Sequence, residues 1–203
     1  MSDRPFHHGN LRAVLLEQAE TVLRERGIDA LSLRELAREA GVSHGAPRSH
    51  FIDRNALLDA LAERGFVRLA DEVREAAAKA PGDYVRTLRA AGTAYLRFGL
   101  REPALADLMF AAKADGPSPA VSAAAERLFD TMTSIMSTGV APGGYDARDV
   151  GRLTLLLGTT IQGISAFIAS HRITAAQGEA LLDDAITLFI AGAAAGRQSP
   201  SGK

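Results

Sequence analysis

The stretch Ser32-Leu33-Arg34-Glu35-Leu36-Ala37-Arg38-Glu39-Ala40-Gly41-Val42-Ser43-His44-Gly45-Ala46-Pro47-Arg48-Ser49-His50-Phe51 decides how this chain is read. Ser32 followed by Glu35 is a capping box, so the spacing predicts a helix starting there. Leu33, Leu36, Ala37 and Ala40 fall on one face at helical spacing. Gly41 can adopt the left-handed conformation that ends a helix, and Ser43 can cap a second one two residues later. Two short helices joined by a tight glycine-containing turn form a helix-turn-helix, whose second helix enters the DNA major groove. The segment starting at His44 is therefore the expected reader of DNA.

The same stretch carries a resemblance. Ala40-Gly41-Val42-Ser43, Gly45, His50-Phe51 and Asp53-Arg54-Asn55-Ala56-Leu57-Leu58 resemble the N-terminal domain of the TetR family of transcriptional repressors, and residues 11–27 resemble that family's first helix. Further on, Ala94-Tyr95-Leu96-Arg97-Phe98, Glu102-Pro103-Ala104-Leu105 and Leu108-Met109-Phe110 look like one class of TetR C-terminal domain. That class usually carries Trp and His-Gly late in the chain; here Gln162-Gly163 stands in their place and Trp is absent. The family usually has Tyr where this chain has Arg48, and often an aromatic where it has Ser49. Both positions typically touch the DNA backbone or a base methyl, so the replacements bear on which operator is read. The resemblance implies a homodimer that binds double-stranded operator DNA and is released by a small-molecule effector.

Length and composition agree with a small protein of one or two domains. Two hundred and three residues suffice to bury a real core. Without cysteine the chain forms no disulfide or thiolate metal site, which fits a reducing cytoplasm. The N-terminus lacks the apolar run of a signal peptide. Residues 153–170 are uncharged and nearly long enough to span a bilayer, but they include Thr154, Thr159, Thr160, Gln162 and Ser165 and have no aromatic belt. That pattern suits a helix buried against its own core and a partner chain, so no membrane association is expected. Net charge is −1, and residues 1–55 balance eight arginines against eight acids. A basic DNA-facing patch must then come from segregation, with Arg4, Arg12, Arg34, Arg48 and Arg54 on one side.

The chain reads as all-α, about nine helices, with no strand alternation. An N-terminal three-helix helix-turn-helix domain is expected over 1–55, and a helical effector-binding and dimerisation domain over 56–197. Residues 198–203 form a polar tail expected to be disordered. Helix 1 spans about 10–26, with Leu11, Leu15, Ala19, Val22 and Leu23 inward. Helix 4 opens at Asp53, continues to about 79, and joins the two domains at roughly 35–40 Å in length. Pro81-Gly82 breaks it. Helices follow from Asp83, from Pro103 and around 121–136; Asp146 and the Thr174/Gln177 capping box open the last two.

Candidate sites follow from these placements. Ser43, His44, Ala46, Pro47 and Arg48 lie at the start of the reading helix, where Arg can bond guanine bidentately and Ala or Pro can touch a thymine methyl. Gly45 suits a close backbone approach, either to DNA or to the preceding helix. Ser32 and Arg34 lie where a helix N-terminus favours a phosphate, and His50 and Arg54 add donors; Arg54 occupies the position of the family's phosphate-contacting Lys. Phe51 is assigned to the core. The resemblance places the effector pocket among the helices that carry Phe98, Met109, Phe110, Phe129, Met132, Met136, Thr159, Gln162 and Phe167, an adaptable apolar lining with a few polar groups. Helix 8 reads as apolar nearly all round, and Leu157, Ile161, Ile164, Ile186, Phe189 and Ile190 are the expected dimer seam.

Catalysis finds no support. Walker, dinucleotide and zinc-helix motifs are missing, and the adjacent His7-His8 pair lacks the spacing of a helical metal site. No cofactor and no metal are implied. The competing class is a helical interaction or small-molecule-binding protein that no longer binds DNA, which a salt-dependent shift with operator DNA would separate.

Overall fold

The computed structural model describes residues 11–43, 45–111, 116–139 and 149–196. Its elements are α1 (Leu11–Arg26), a 3-10 turn (Ile28–Ala30), α2 (Leu33–Glu39), a second 3-10 turn (Ala46–Ser49), α3 (Arg54–Ala78), α4 (Tyr84–Arg101), α5 (Pro103–Phe110), α6 (Pro119–Ser137), α7 (Val150–Ala169) and α8 (Ala175–Gly196). The fold is all-α, and no strand occurs among the described residues. Eight α-helices lie among the described residues, and the expected reading helix is a four-residue 3-10 turn. Pro47 has no N–H to give to an i−4 carbonyl, and Gly45 costs about 1 kcal/mol in a helix interior. The N–H groups of Ala46, Arg48 and His50 accordingly reach back only three residues, to Ser43, Gly45 and Pro47. His7, His8, His44, Asp146 and the 198–203 tail lie outside the described residues.

Two compact units divide the chain, Met1–Gly65 with Ala104–Ser122 and Phe66–Pro103 with Ala123–Lys203. In the first, α1 buries Leu15, Leu16, Ala19, Val22 and Leu23, and α2 buries Leu36 and Ala37. Phe51, Leu57 and Leu61 complete this core. Each such side chain contributes about 1.5–3 kcal/mol of transfer free energy. Gly41 takes φ 68°, a conformation costly for other residues. It turns the chain so that the Val42 N–H reaches the Ala37 carbonyl at 3.0 Å. The Ser32 hydroxyl makes no capping bond; Glu35, its expected partner, binds Arg38 at 2.6 Å instead.

In the second unit α4, α7 and α8 pack against one another. Their core includes Leu88, Tyr95 and Leu96 from α4, Leu153, Leu157, Ile161 and Ile164 from α7, and Leu182 and Ile186 from α8. Gly178 permits the close passage of α8 over α7, since a Cβ there would meet Ile164 Cγ2 at 3.1 Å. Helix α7 is long and apolar enough to cross a membrane by length and composition, yet one of its faces is packed into this core. Its threonines need no external partner: Thr154, Thr159 and Thr160 donate to carbonyls one turn back, at 2.8–2.9 Å. The Asp83 carboxylate caps α4 through the Val85 N–H at 3.0 Å. Thr174 and Gln177 cap α8 reciprocally, at 2.8 and 3.2 Å. Replacing Thr174 by Ala should lower stability by about 0.5–2 kcal/mol in a urea titration.

Candidate nucleic-acid interface and internal cavity

The start of α2, the Ala46–Ser49 turn and the start of α3 border an open groove of about 680 Å³. Ser32, Arg34, Gly45, Arg48 and Arg54 all line it. Its one acid is Asp53, whose carboxylate caps α3 by accepting from the Ala56 N–H at 2.8 Å. Three guanidiniums against one engaged carboxylate make the groove locally cationic. Arg26 and Arg38 of this unit are neutralised where they stand. Arg26 pairs with Glu39 at 2.9 Å, and Arg38 pairs with Glu35 at 2.6 Å. The Arg38 hydrogen bond holds the Glu35 carboxyl below the usual carboxylate range. Of the arginines expected on one side, Arg34, Arg48 and Arg54 line this groove, Arg12 does not, and Arg4 lies outside the described residues.

The expected contact residues do not all face this groove. Pro47 is buried, so it cannot offer its ring to a base methyl, whereas Ser43, Arg48 and His50 are exposed. A Cβ added at Gly45 meets nothing within 4 Å, which removes packing against α2 as its reason. Arg54 differs most from its expected role as a free phosphate contact. Its Nε donates to the Leu31 carbonyl at 2.9 Å, and a terminal nitrogen donates to the Ile28 carbonyl at 2.6 Å. It clamps the α1–α2 connection to the start of α3. Arg12 sits 5.4 Å over the ring of buried Phe51. Ile52, which no helical periodicity singles out, lines the groove at 83% exposure.

The second unit encloses a cavity of about 20 Å³, room for about one water. Its walls are Val73 of α3, Leu88, Ala91, Gly92 and Tyr95 of α4, Met132, Ile135 and Met136 of α6, and Thr154, Leu157 and Ile161 of α7. Of the expected pocket residues, Met132 and Met136 are here. Phe98 is buried beneath the guanidiniums of Arg68 and Arg101, at 5.3 and 5.8 Å. Met109 packs beside Gly65 in the first unit. Phe129 and Gln162 are half-buried without lining the cavity, while Phe110, Thr159 and Phe167 are exposed. Tyr95 shares a face with Leu88 and Ala91 at helical spacing, a pattern that by itself reads as core packing. Burial pushes its phenol well above the ordinary value, so it stays a neutral donor.

The expected dimer seam also needs correction. Leu157, Ile161, Ile164 and Ile186 are buried within the chain itself, and Phe189 and Ile190 are half-buried. The apolar side chains left exposed are Leu155, Leu156 and Phe167 on α7 and Leu181 and Leu188 on α8. A helix apolar on several faces gives periodicity no means of choosing which face turns outward.

Comparison with known proteins agrees with this architecture. The profile of bacterial regulatory proteins of the tetR family matches residues 15–61, and that of the tetracyclin repressor-like C-terminal domain matches residues 88–189. A protein of unknown function from Rhodococcus sp. RHA1 is 38% identical, covering 94% of this chain and 98% of its own, with a TM-score of 0.83. A tetR-family bacterial regulatory protein from Rhodococcus RHA1 is 19% identical, with coverages of 89% and 95% and a TM-score of 0.64. The TetR family transcriptional regulator PfmR from Thermus thermophilus is 19% identical, with coverages of 87% and 97% and a TM-score of 0.60. The latter two share the fold. No curated protein sequence matches. A helix-turn-helix with an arginine-lined groove, followed by a helical C-terminal unit, defines a DNA-binding transcription regulator. The chain belongs to the TetR family.

The Arg54 clamp has a direct consequence for stability. Arg54→Ala should destabilise the DNA-free protein by about 1–2 kcal/mol, because two backbone carbonyls lose charged donors. Arg54→Lys should restore only part of this, having no fork to span both. Urea titration without DNA makes the comparison.

Proposed function

We propose that this protein is a cytoplasmic homodimeric repressor that binds a palindromic operator and is released by a small, largely apolar effector. The observation that carries the DNA-binding part is the convergence of Ser32, Arg34, Gly45, Arg48 and Arg54 on one locally cationic groove. Arg48 is exposed at the reading turn, and it supplies sequence readout through a bidentate contact with a guanine edge. Arg34 and Ser32 position the protein on phosphates. The open space over Gly45 admits the DNA backbone, and Arg54 holds the two walls of the groove while donating its remaining N–H groups.

Release follows from the tightness of the cavity. A site with room for about one water accepts a larger effector only in conformers where Met132 and Met136 have moved and the walls have separated. An effector that binds those conformers better shifts the population toward them. Helix α3 transmits the shift, because it carries Arg54 at its start and Val73 on the cavity wall.

Dimerisation is assigned to the exposed apolar face of α7 and α8. Five large apolar side chains on two neighbouring helices are more than a monomer usually leaves in water. Two copies apposed there form a four-helix bundle, and their two-fold axis sets one reading turn on each half-site.

Selection of genomic fragments by the purified protein tests DNA recognition. Arg48→Ala should lower affinity for the recovered site by about 1–3 kcal/mol and relax preference at one base pair. A loss equal on every sequence would reassign Arg48 to the backbone. For the dimer, Leu156→Glu changes an exposed residue, so the chain should stay helical by circular dichroism and run as a monomer by light scattering at micromolar concentration. A folded variant that remains dimeric would move the interface elsewhere.

A further inference from the structure

The cavity of the second unit is bordered by α3, α4, α6 and α7, and among the described residues no charged side chain lines it. Two of its lining residues carry a hydroxyl, Tyr95 and Thr154. Thr154 is already engaged: its hydroxyl donates to the Val150 carbonyl at 2.9 Å, and the Thr133 hydroxyl donates to it at 3.5 Å. Tyr95 is 7% exposed, and its hydroxyl makes no hydrogen bond among the described residues. The ring is buried, but the hydroxyl oxygen itself keeps some accessible surface, so it is open to a ligand or to water. An unpartnered phenol on the wall of an apolar cavity is poised to bind something that enters it.

We propose that Tyr95 donates the single hydrogen bond that recognises an uncharged effector carrying one acceptor, a carbonyl or ether oxygen on an apolar skeleton. The inference rests on reading this cavity as the effector site. A charged ligand would lie against Val73, Leu88, Ile135 and Ile161 with no counter-charge, at a prohibitive desolvation cost. A pure hydrocarbon would leave the Tyr95 donor unsatisfied, a penalty that sites built around a hydroxyl impose on analogues lacking its partner. Burial keeps the phenol protonated and therefore a donor. Met132 and Met136 supply an adaptable wall that can yield to the skeleton.

Three probes of similar outline test this on the full chain: acetophenone with one carbonyl acceptor, ethylbenzene with none, and benzoate with a charge. Tyrosine labelled at the ring carbon bearing the hydroxyl and methyl-labelled methionine report binding by NMR. The Tyr95→Phe variant identifies the Tyr95 signal and keeps the ring's shape. Acetophenone should shift the Tyr95 signal and bind about tenfold more tightly than ethylbenzene. Tyr95→Phe should bring acetophenone and ethylbenzene to equal affinity, with acetophenone weakened and ethylbenzene no weaker than before, while benzoate should not bind. Equal affinity for the two neutral probes, an unaltered acetophenone affinity in Tyr95→Phe, or binding of benzoate would overturn the hydrogen-bond assignment. If Met132 and Met136 still respond in those cases, the cavity remains the ligand site. If neither neutral probe binds or moves those methyl signals, the cavity reading fails and the inference fails with it.

Discussion

The guanidinium of Arg54 reaches back across the first unit to the carbonyls of Ile28 and Leu31, and the geometry of the arginine-lined groove depends on it. Those carbonyls belong to the connection between α1 and α2, where the Ile28 carbonyl also accepts from the Leu31 N–H at 3.2 Å. Backbone polar groups of this kind must be paired or wet. Arg54 pairs them from the first residue of α3, and so sets the distance between the groove wall that carries Ser32 and Arg34 and the wall that carries Arg48. A lysine at this place, the residue the family usually has, would leave its charge for phosphate. The arginine is part of the scaffold, and it keeps further donors for the phosphate contact proposed above.

The same helix that starts with this clamp contributes Val73 to the cavity. A tight, apolar cavity suits a switch. Close-packed interiors do not deform continuously, so a ligand that needs more room selects a different packing of the surrounding helices. The ligand's differential affinity for that packing limits how far it can move the equilibrium. A cavity already the size of its ligand would discriminate less between the two states. On this account the small volume of the cavity in the free chain is part of the mechanism, and the flexible thioethers of Met132 and Met136 are what lets it open.

Much of the local structure is legible from residue chemistry. Gly41 ends α2 in the left-handed conformation, and Thr174 with Gln177 caps α8 on both donors, because these devices act over three or four residues. The reading turn departs from expectation where two local rules meet. Ser43 suggests a helix start, but Gly45 and Pro47 together withhold the rigidity and the N–H that an α-helix needs. Long-range partners are the least visible. Nothing in sequence spacing says that Arg54 meets residues 23 and 26 positions away. Nor does it say which apolar face of α7 is covered by α4 and α8, so Leu157, Ile161 and Ile164, expected at a seam, belong to the core. Tyr95 escapes for a related reason: a tyrosine on an apolar stripe reads as packing, and only the unpartnered hydroxyl beside a cavity distinguishes it.

The most direct test of the central claim, that the arginine-lined groove reads a DNA sequence, is the affinity of the purified protein for a genomically selected fragment. A scrambled fragment of equal length serves as the comparison, with salt raised from about 50 to about 200 mM. The account predicts tighter binding to the selected fragment at every salt concentration. It also predicts an affinity for both fragments that falls linearly on logarithmic axes, as phosphate contacts release counterions. Equal affinities for the two fragments, or binding that does not change with salt, would contradict it.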